Sequence, residues 1–273
     1  MKKISFIISI SLVLASIFGL SGCKKELNTV DDSMTFDSLT LAETYYLNSD
    51  PKQPSCNIQV DFVYPRQYKD EKILSKMQVL FIDKILGGEY LDLDPETALQ
   101  AYKDKYIENF KQFEMQIDEE EYFSYYLKLK SLVVFNDDNI VSLFVNSNIY
   151  EGGAHGSNVA NCYVFDLAKG TIIAEKQIFT ENYKKQLASI IVDKIVEANN
   201  LADPQKLGEI GYLNAEEIIS NDNFIINEKG ITYYFNEYEI AAYVVGITEV
   251  FIPFSELTFL LKEGSPIAKL AGL

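Results

Sequence analysis

Near residue 122 the spacing of apolar side chains changes from every third or fourth residue to every second. Before that point, apolar residues recur at helical spacing over residues 70–86 and, after the Asp94-Pro95 start signal, over residues 95–113. After it, two sets alternate: Phe123, Tyr125, Leu127 and Leu129 in one, and Ser124, Tyr126, Lys128 and Lys130 in the other. Because successive side chains of a strand point to opposite faces, the alternation predicts a half-buried β-strand.

Turn residues divide the rest of the chain into further short elements. The turns expected at residues 136–139 and 169–170 leave two more strands, 140–150 and 159–167, which continue an antiparallel meander. Other predicted elements are a strand at 57–64, a helix from Thr180 to Ala198, a short helix capped by Asn214 and Glu217, and closing strands at 224–226, 231–235 and 248–252. The predicted fold class is α+β, an antiparallel meander sheet packed with helices in two similar-sized sub-domains of one compact unit.

The first 23 residues resemble a bacterial lipoprotein signal peptide. Two lysines precede an uncharged run that ends at Leu20-Ser21-Gly22-Cys23, which predicts cleavage before Cys23 and acylation of that cysteine. The alternative is an uncleaved membrane anchor, since the run reaches the lower end of spanning length. Lys24 and Lys25 follow, and by resemblance to known sorting rules this favours the outer membrane of a Gram-negative bacterium, with the periplasmic or outward side left open.

Five regions are expected along the chain. Residues 1–22 form the signal peptide, and residues 23–48 a tether, because the stretch from Glu26 to about Tyr46 is polar with little periodicity. Residues 49–168 and 169–262 form an N-terminal and a C-terminal α+β domain, and residues 263–273 a tail.

The chain is strongly acidic. Its formal net charge is −16, and loss of Lys2 and Lys3 with the leader makes the charge more negative still. Such a surface repels phosphate backbones, which excludes nucleic acid as a partner and favours a basic protein. The alternative is that the acidity only maintains solubility.

Two cysteines remain once Cys23 is assigned to lipid. Cys56 and Cys162 either form a disulfide, which stabilises by about 4 kcal/mol in the chain-entropy model, or are buried as two unpaired thiols. These cysteines and the single histidine lie far apart and match no metal-ligand spacing, so no metal site and no cofactor are expected.

Two segments resemble a bacterial envelope family. The first is Tyr150-Glu151-Gly152-Gly153-Ala154-His155-Gly156, followed by Phe165-Asp166 and Gly170. The second comprises Phe224, Gly230, Tyr234-Phe235, Tyr238, Ile240-Ala241, Tyr243, Gly246, Val250 and Ile252-Pro253-Phe254. Together they resemble the paired DUF4163/DUF3298 domains of lysozyme-sensing anti-sigma factors and of some peptidoglycan deacetylases, over about Cys56 to Leu261.

The departures from that family narrow what the resemblance implies. We expect no cytoplasmic sigma-binding segment and no metal-dependent deacetylase domain, so neither transmembrane signalling nor deacetylation carries over. Ala242 stands where the family usually has proline, which loosens one turn. The resemblance therefore implies a lipid-anchored accessory module without catalytic residues.

The two motifs also supply the candidate binding residues. Glycines at 152, 153 and 156 allow a sharp, exposed connection that can hold an imidazole able to change charge near neutral pH. Tyrosines in an irregular loop offer large contact area with a polar tip, which suits a protein or sugar surface. The predicted binding residues are Tyr150, Glu151, His155, Tyr238, Glu239 and Tyr243. The alternative is structural: glycines that only shape a bulge, and tyrosines that cap the edge of the core.

Three classes of function remain. The first is a binding module that recognises a lysozyme-like muramidase or peptidoglycan. The second is an envelope hydrolase that acts on cell-wall glycan with a carboxylate pair, although no motif singles out a pair. The third is a structural lipoprotein without a soluble ligand. The sequence contains no Gly-x-Ser-x-Gly elbow and no phosphate-binding loop, so we favour the binding module over an enzyme.

Overall fold

The computed structural model describes residues 33–114, 123–137 and 139–273. The predicted signal peptide, Cys23 and the start of the predicted tether lie outside the described residues. Within these three ranges no helix combines the length and the apolarity needed to cross a membrane.

A six-stranded sheet forms the first layer of the fold. Its strands follow one another in chain order: β1 (Thr35–Tyr46), β2 (Ser55–Gln67), β3 (Tyr125–Asn136), β4 (Ile140–Tyr150), β5 (Ser157–Asp166) and β6 (Thr171–Ile172). The pair β2 and β3 is parallel, and every other neighbouring pair is antiparallel. The meander predicted from residue 122 onward is therefore the β3–β6 part of this sheet.

Two helices, α1 (Glu71–Ile85) and α2 (Pro95–Glu114), connect the parallel strands β2 and β3. The Asp70 carboxylate caps α1 by accepting hydrogen bonds from the backbone N–H groups of Lys72 and Ile73. Asp94 accepts the backbone N–H of Thr97 at 3.0 Å in the first turn of α2, as the Asp94-Pro95 pair predicted. Both helices bury apolar residues in one core with the sheet: Ile73, Met77, Phe81, Leu99 and Phe110.

A second hydrophobic core lies under a smaller antiparallel sheet of β7 (Phe224–Ile226), β8 (Gly230–Phe235) and β9 (Thr248–Pro253). Three helices belong to this part: α3 (Glu175–Ile178), α4 (Lys184–Ala198) and α5 (Phe254–Leu257). Buried Ser142 of β4 joins the two sheets, because its hydroxyl donates to the Ile226 carbonyl at 2.7 Å and accepts the Ile226 N–H at 3.1 Å. The α+β prediction is confirmed.

Asparagine side chains complete the junction between β5 and the small sheet. The Asn223 Oδ1 atom accepts the Cys162 N–H at 2.8 Å, and its Nδ2 donates to the carbonyls of Ala160 and Tyr234. The Asn236 Oδ1 atom accepts the Ala160 N–H at 2.7 Å. Backbone groups at the junction therefore find side-chain partners where no neighbouring strand pairs with them.

Two sequence predictions need correction. Within the predicted tether at residues 23–48, residues 35–46 form strand β1, which pairs antiparallel with β2. The side chains of β1 are half-buried or exposed, so the strand shows only weak alternation. The helix expected from Thr180 begins at Lys184. Thr180 instead donates its backbone N–H to the Leu260 carbonyl, and Asn182 has φ +63°, which is incompatible with helix.

Candidate functional site

The glycine-rich loop lies between β4 and β5. Gly152 and Gly153 both have φ +90°, a region that favours glycine. Gly156 is needed for a different reason: a Cβ atom there would lie 2.7 Å from the Tyr126 hydroxyl oxygen and 2.9 Å from the Ile149 carbonyl oxygen. The Tyr150 hydroxyl donates to the Gly153 carbonyl at 3.0 Å and closes the loop.

The second loop spans residues 236–246, between β8 and β9. Tyr238 has φ +65°, an uncommon conformation for a bulky residue. The Glu239 carboxylate holds this turn, because it accepts the Asn236 N–H at 2.6 Å and the Asn221 Nδ2 at 2.8 Å. Glu239, one of the predicted binding residues, therefore has one carboxylate oxygen bonded within the loop and the other bonded to Asn221.

The two loops meet in a group of three stacked rings, which we call the aromatic cluster: His155, Tyr238 and Tyr243. The His155 and Tyr243 ring centroids are 4.0 Å apart with planes at 28°, and those of Tyr238 and Tyr243 are 5.7 Å apart at 29°. The Tyr238 hydroxyl oxygen lies 3.4 Å from the His155 Nε2 atom. Tyr238 is 65% exposed, His155 is exposed and Tyr243 is half-buried. Three of the six predicted binding residues thus share one exposed surface.

Hydrogen bonds fix the aromatic cluster to the glycine-rich loop. The Tyr243 hydroxyl donates to the Gly156 carbonyl at 3.3 Å, and the His155 Nδ1 atom lies 2.9 Å from the same carbonyl oxygen. Desolvation and then the nearby charge of Glu237 raise the pKa of Tyr243. The phenol is therefore neutral at physiological pH and remains a hydrogen-bond donor.

The structure places Tyr150 and Glu151 beside the aromatic cluster rather than in it. The Tyr150 ring stacks on Tyr126 of β3, with ring centroids 6.0 Å apart. Glu151 acts on two tyrosines of α2: burial, followed by the charge of Glu151, raises the pKa of Tyr102 to about 12 and also raises the pKa of Tyr106. The charge of Glu151 therefore reaches α2.

Sequence reasoning missed two residues of this region, half-buried Tyr126 and exposed Val244. Tyr126 lies on the polar face of β3, where its hydroxyl packs close to Gly156. The sequence signal for Tyr126 was its place among the polar residues of the alternation, because an aromatic residue in that set faces outward. Val244 follows Tyr243 and is 88% exposed, and no periodicity marks it.

The remaining cysteines lie in the core. Cys56 on β2 and Cys162 on β5 are both free and buried. With β3 and β4 between them, the strands carrying the two residues are separated by roughly 14 Å, which exceeds the span of a disulfide. Desolvation raises the pKa of Cys56 to about 12. In the described part of the chain, no three His, Cys, Asp or Glu side chains converge as metal ligands would.

Two family matches cover most of the described chain. Residues 176–255 match the family described as "Protein of unknown function (DUF3298)", and residues 51–158 match the family described as "Deacetylase PdaC". A member of the DUF3298 family from Bacteroides fragilis NCTC 9343 has a solved structure similar to this one. It has a TM-score of 0.81 and 26% identity, and the match covers 88% of this chain and 98% of that one. Residues 176–255 therefore resemble DUF3298, the family that the sequence motifs predicted.

Two further proteins are similar to this chain. The peptidoglycan-N-acetylmuramic acid deacetylase PdaC of Bacillus subtilis strain 168 is 27% identical over 171 residues, or 62% of this chain. This chain spans only 36% of the length of that deacetylase. A DUF3298 family protein from Pseudomonas aeruginosa PAO1 has a TM-score of 0.60 and 16% identity, covering 85% of this chain and 96% of that one, and supports the fold alone.

Proposed function

We propose that this chain is a binding module of the bacterial cell envelope that contacts peptidoglycan through the aromatic cluster. The observation that carries the proposal is the stack of His155, Tyr238 and Tyr243, which joins two loops that are distant in sequence. Two of the rings are exposed and that of Tyr243 is half-buried, so none is packed into the core. Exposed aromatic residues with polar tips provide the mixed apolar and hydrogen-bonding contact that sugar rings and protein surfaces require.

The loop geometry supports a preformed contact surface. Tyr238 occupies a positive φ that its own preferences disfavour, and the Glu239 hydrogen bonds hold it there. Rings fixed before binding lose little conformational entropy when a ligand arrives. The name of the B. subtilis relative, a deacetylase of peptidoglycan N-acetylmuramic acid, supports peptidoglycan as the ligand.

A basic protein such as a lysozyme-like muramidase is the second candidate partner. The formal net charge of −16 favours association with a cationic protein. Val244, 88% exposed beside the aromatic cluster, is an apolar side chain of the kind that protein interfaces cover. Electrostatic attraction predicts that this association weakens at high salt.

Co-sedimentation with purified insoluble peptidoglycan tests the proposal. We expect the wild-type chain to sediment with peptidoglycan, and the double variant Tyr238→Ala/Tyr243→Ala to bind about tenfold more weakly. Phe259→Ala is the matched control, because it removes a ring that is 64% exposed and belongs to the segment after α5. Equal sedimentation of the cluster variant and the wild type would contradict the proposal.

The same preparations separate the other classes of function. Binding to a purified muramidase in low salt, with none to peptidoglycan, would favour the protein partner. Shortened glycan after prolonged incubation would favour the hydrolase. Binding to neither the muramidase nor peptidoglycan would favour the structural lipoprotein.

The location belongs to the proposal as well. We infer that Cys23 carries the lipid that holds the module at the envelope, in the outer membrane of a Gram-negative bacterium. The variant Cys23→Ser should move the protein from the membrane fraction to the soluble fraction. An unchanged distribution would overturn the anchor without affecting the aromatic cluster.

A further inference from the structure

A groove of about 420 Å³ crosses the outward face of strands β2, β3 and β4. Amide, ammonium and carboxylate side chains line it: Gln59, Asp61, Lys128, Lys130, Asn146 and Asn148. The alternating neighbours on the other face, such as Ile58, Val60 and Leu127, are buried in the core. The inward packing therefore fixes these polar groups outward.

The strand register arranges the groove in two rows. Lys128 pairs with Gln59 on one side and with Asn148 on the other. Lys130 occupies the equivalent position between Asp61 and Asn146. Each lysine thus has an amide-bearing residue beside it, and the groove is roughly 10 Å wide from β2 to β4.

Most of these side chains have no partner within the described ranges. Asn146 donates to the Asn158 Oδ1 and the Val159 carbonyl, whereas the other five lining side chains make no hydrogen bond or ion pair with described residues. Three other lysines, Lys103, Lys169 and Lys194, each pair with a carboxylate. Asparagine is also depleted in strands, yet β4 has two in its exposed face. Neither strand propensity nor internal pairing accounts for the lysine and amide side chains of the groove.

The groove is continuous with the aromatic cluster. Tyr126 and Tyr150 form the next row of the sheet, two residues from Lys128 and Asn148, and their rings stack. The Tyr126 hydroxyl packs close to Gly156, whose carbonyl accepts the Tyr243 hydroxyl. A ligand on the aromatic cluster can therefore extend across Tyr126 into the groove.

We propose that the groove binds the acidic, N-acylated part of a glycan, with Lys128 and Lys130 binding its carboxylates and the amide side chains binding its acetamido and hydroxyl groups. This rests on the proposed function, and it assigns the sheet face as a second subsite for the same ligand. N-acetylmuramic acid with a free lactyl carboxylate carries both kinds of group, so it has the chemistry that the groove matches. Local charge complementarity supports this, because two ammonium groups that form no ion pair with described residues line the same groove.

Titration with soluble oligosaccharides that contain N-acetylmuramic acid tests this inference by calorimetry at low ionic strength. We expect Lys128→Gln/Lys130→Gln to raise Kd about tenfold. Lys184→Gln/Lys185→Gln on α4 is the matched control with the same loss of charge and should bind like the wild type. With the ligand carboxylates converted to methyl amides, the groove variant and the wild type should bind equally.

The outcomes separate the two proposals. If Tyr238→Ala/Tyr243→Ala weakens binding but the groove variant binds like the wild type, the groove inference is wrong and the proposed function stands. If the wild type binds none of these oligosaccharides and no insoluble peptidoglycan, both are wrong. Both lysines are exposed on a strand face, so the groove variant should keep the thermal unfolding midpoint of the wild type.

Discussion

Gly156 is a position where one added carbon atom disturbs two neighbours. In Gly156→Ala the Cβ would lie within 2.9 Å of the Tyr126 hydroxyl and the Ile149 carbonyl, and the carbonyl belongs to the backbone of β4. We expect a loss of about 1–3 kcal/mol in the free energy of unfolding, measured by urea denaturation. Gly208→Ala is the control, because no atom lies within 4 Å of its added Cβ. Equal stability of the two variants would contradict this.

The two buried thiols should be unreactive in the native protein. Burial raises the pKa of Cys56 to about 12 and also raises the pKa of Cys162, so neither is a reactive thiolate at pH 8. Both thiols should resist iodoacetamide in the native protein and react with it in denaturant without reductant. Mass spectrometry can count the labelled cysteines under each condition. Labelling that needs reductant as well as denaturant would instead show the disulfide.

The candidate site shows what sequence could predict about individual residues. The motifs identified both loops, and the structure brings His155, Tyr238 and Tyr243 together from them. The effect of the Glu151 charge on α2 and the hydrogen bonds of Glu239 were not predictable, because they depend on contacts with α2 and with Asn221. Such contacts are set by tertiary packing rather than by local spacing.

Asn223 links β5 to the small sheet, and its removal should destabilise the junction. Its side chain accepts the Cys162 N–H and donates to two carbonyls that also accept from Asn221 and Asn236, so Asn223→Ala leaves the part-buried Cys162 N–H unpaired. We expect a loss of about 1–3 kcal/mol in urea denaturation. Asn148→Ala, which removes an amide without hydrogen bonds to described residues, should change stability by less than about 0.5 kcal/mol. A small effect at both positions would rule out the junction as a source of stability.

The predictable secondary-structure elements were those whose start, end or side-chain alternation is set by a few neighbouring residues. Asp70 and the Asp94-Pro95 pair start α1 and α2, the period of two predicted β3, and the turns at residues 136–139 and 169–170 predicted β4 and β5. Strand β1 was not predictable, because it is stabilised mainly by its backbone pairing with β2 and buries none of its own side chains fully. The parallel pairing of β2 and β3 likewise follows from how α1 and α2 pack, which no single segment encodes.

The whole molecule should lose stability in alkali. Burial raises the pKa of Cys56 and that of Tyr102 to about 12, from ordinary values near 9 and 10. Because the folded state binds these protons more tightly, their contribution is fully present below the unfolded pKa values and is lost as the pH rises towards 12. Each of these groups contributes a slope of at most about 1.4 kcal/mol per pH unit in that window. Urea midpoints at pH 8 and pH 11 test this, and equal midpoints would contradict it.

At the level of the complete molecule, the central claim is that a preformed aromatic cluster contacts peptidoglycan. His155 is the only histidine of the chain, so its imidazole NMR signals need no assignment by mutagenesis and report on the cluster directly. Titration with soluble peptidoglycan fragments should shift these signals saturably in the wild type and leave them unchanged in Tyr238→Ala/Tyr243→Ala. Fragments that bind without moving the His155 signals, or that do not bind, would contradict the account.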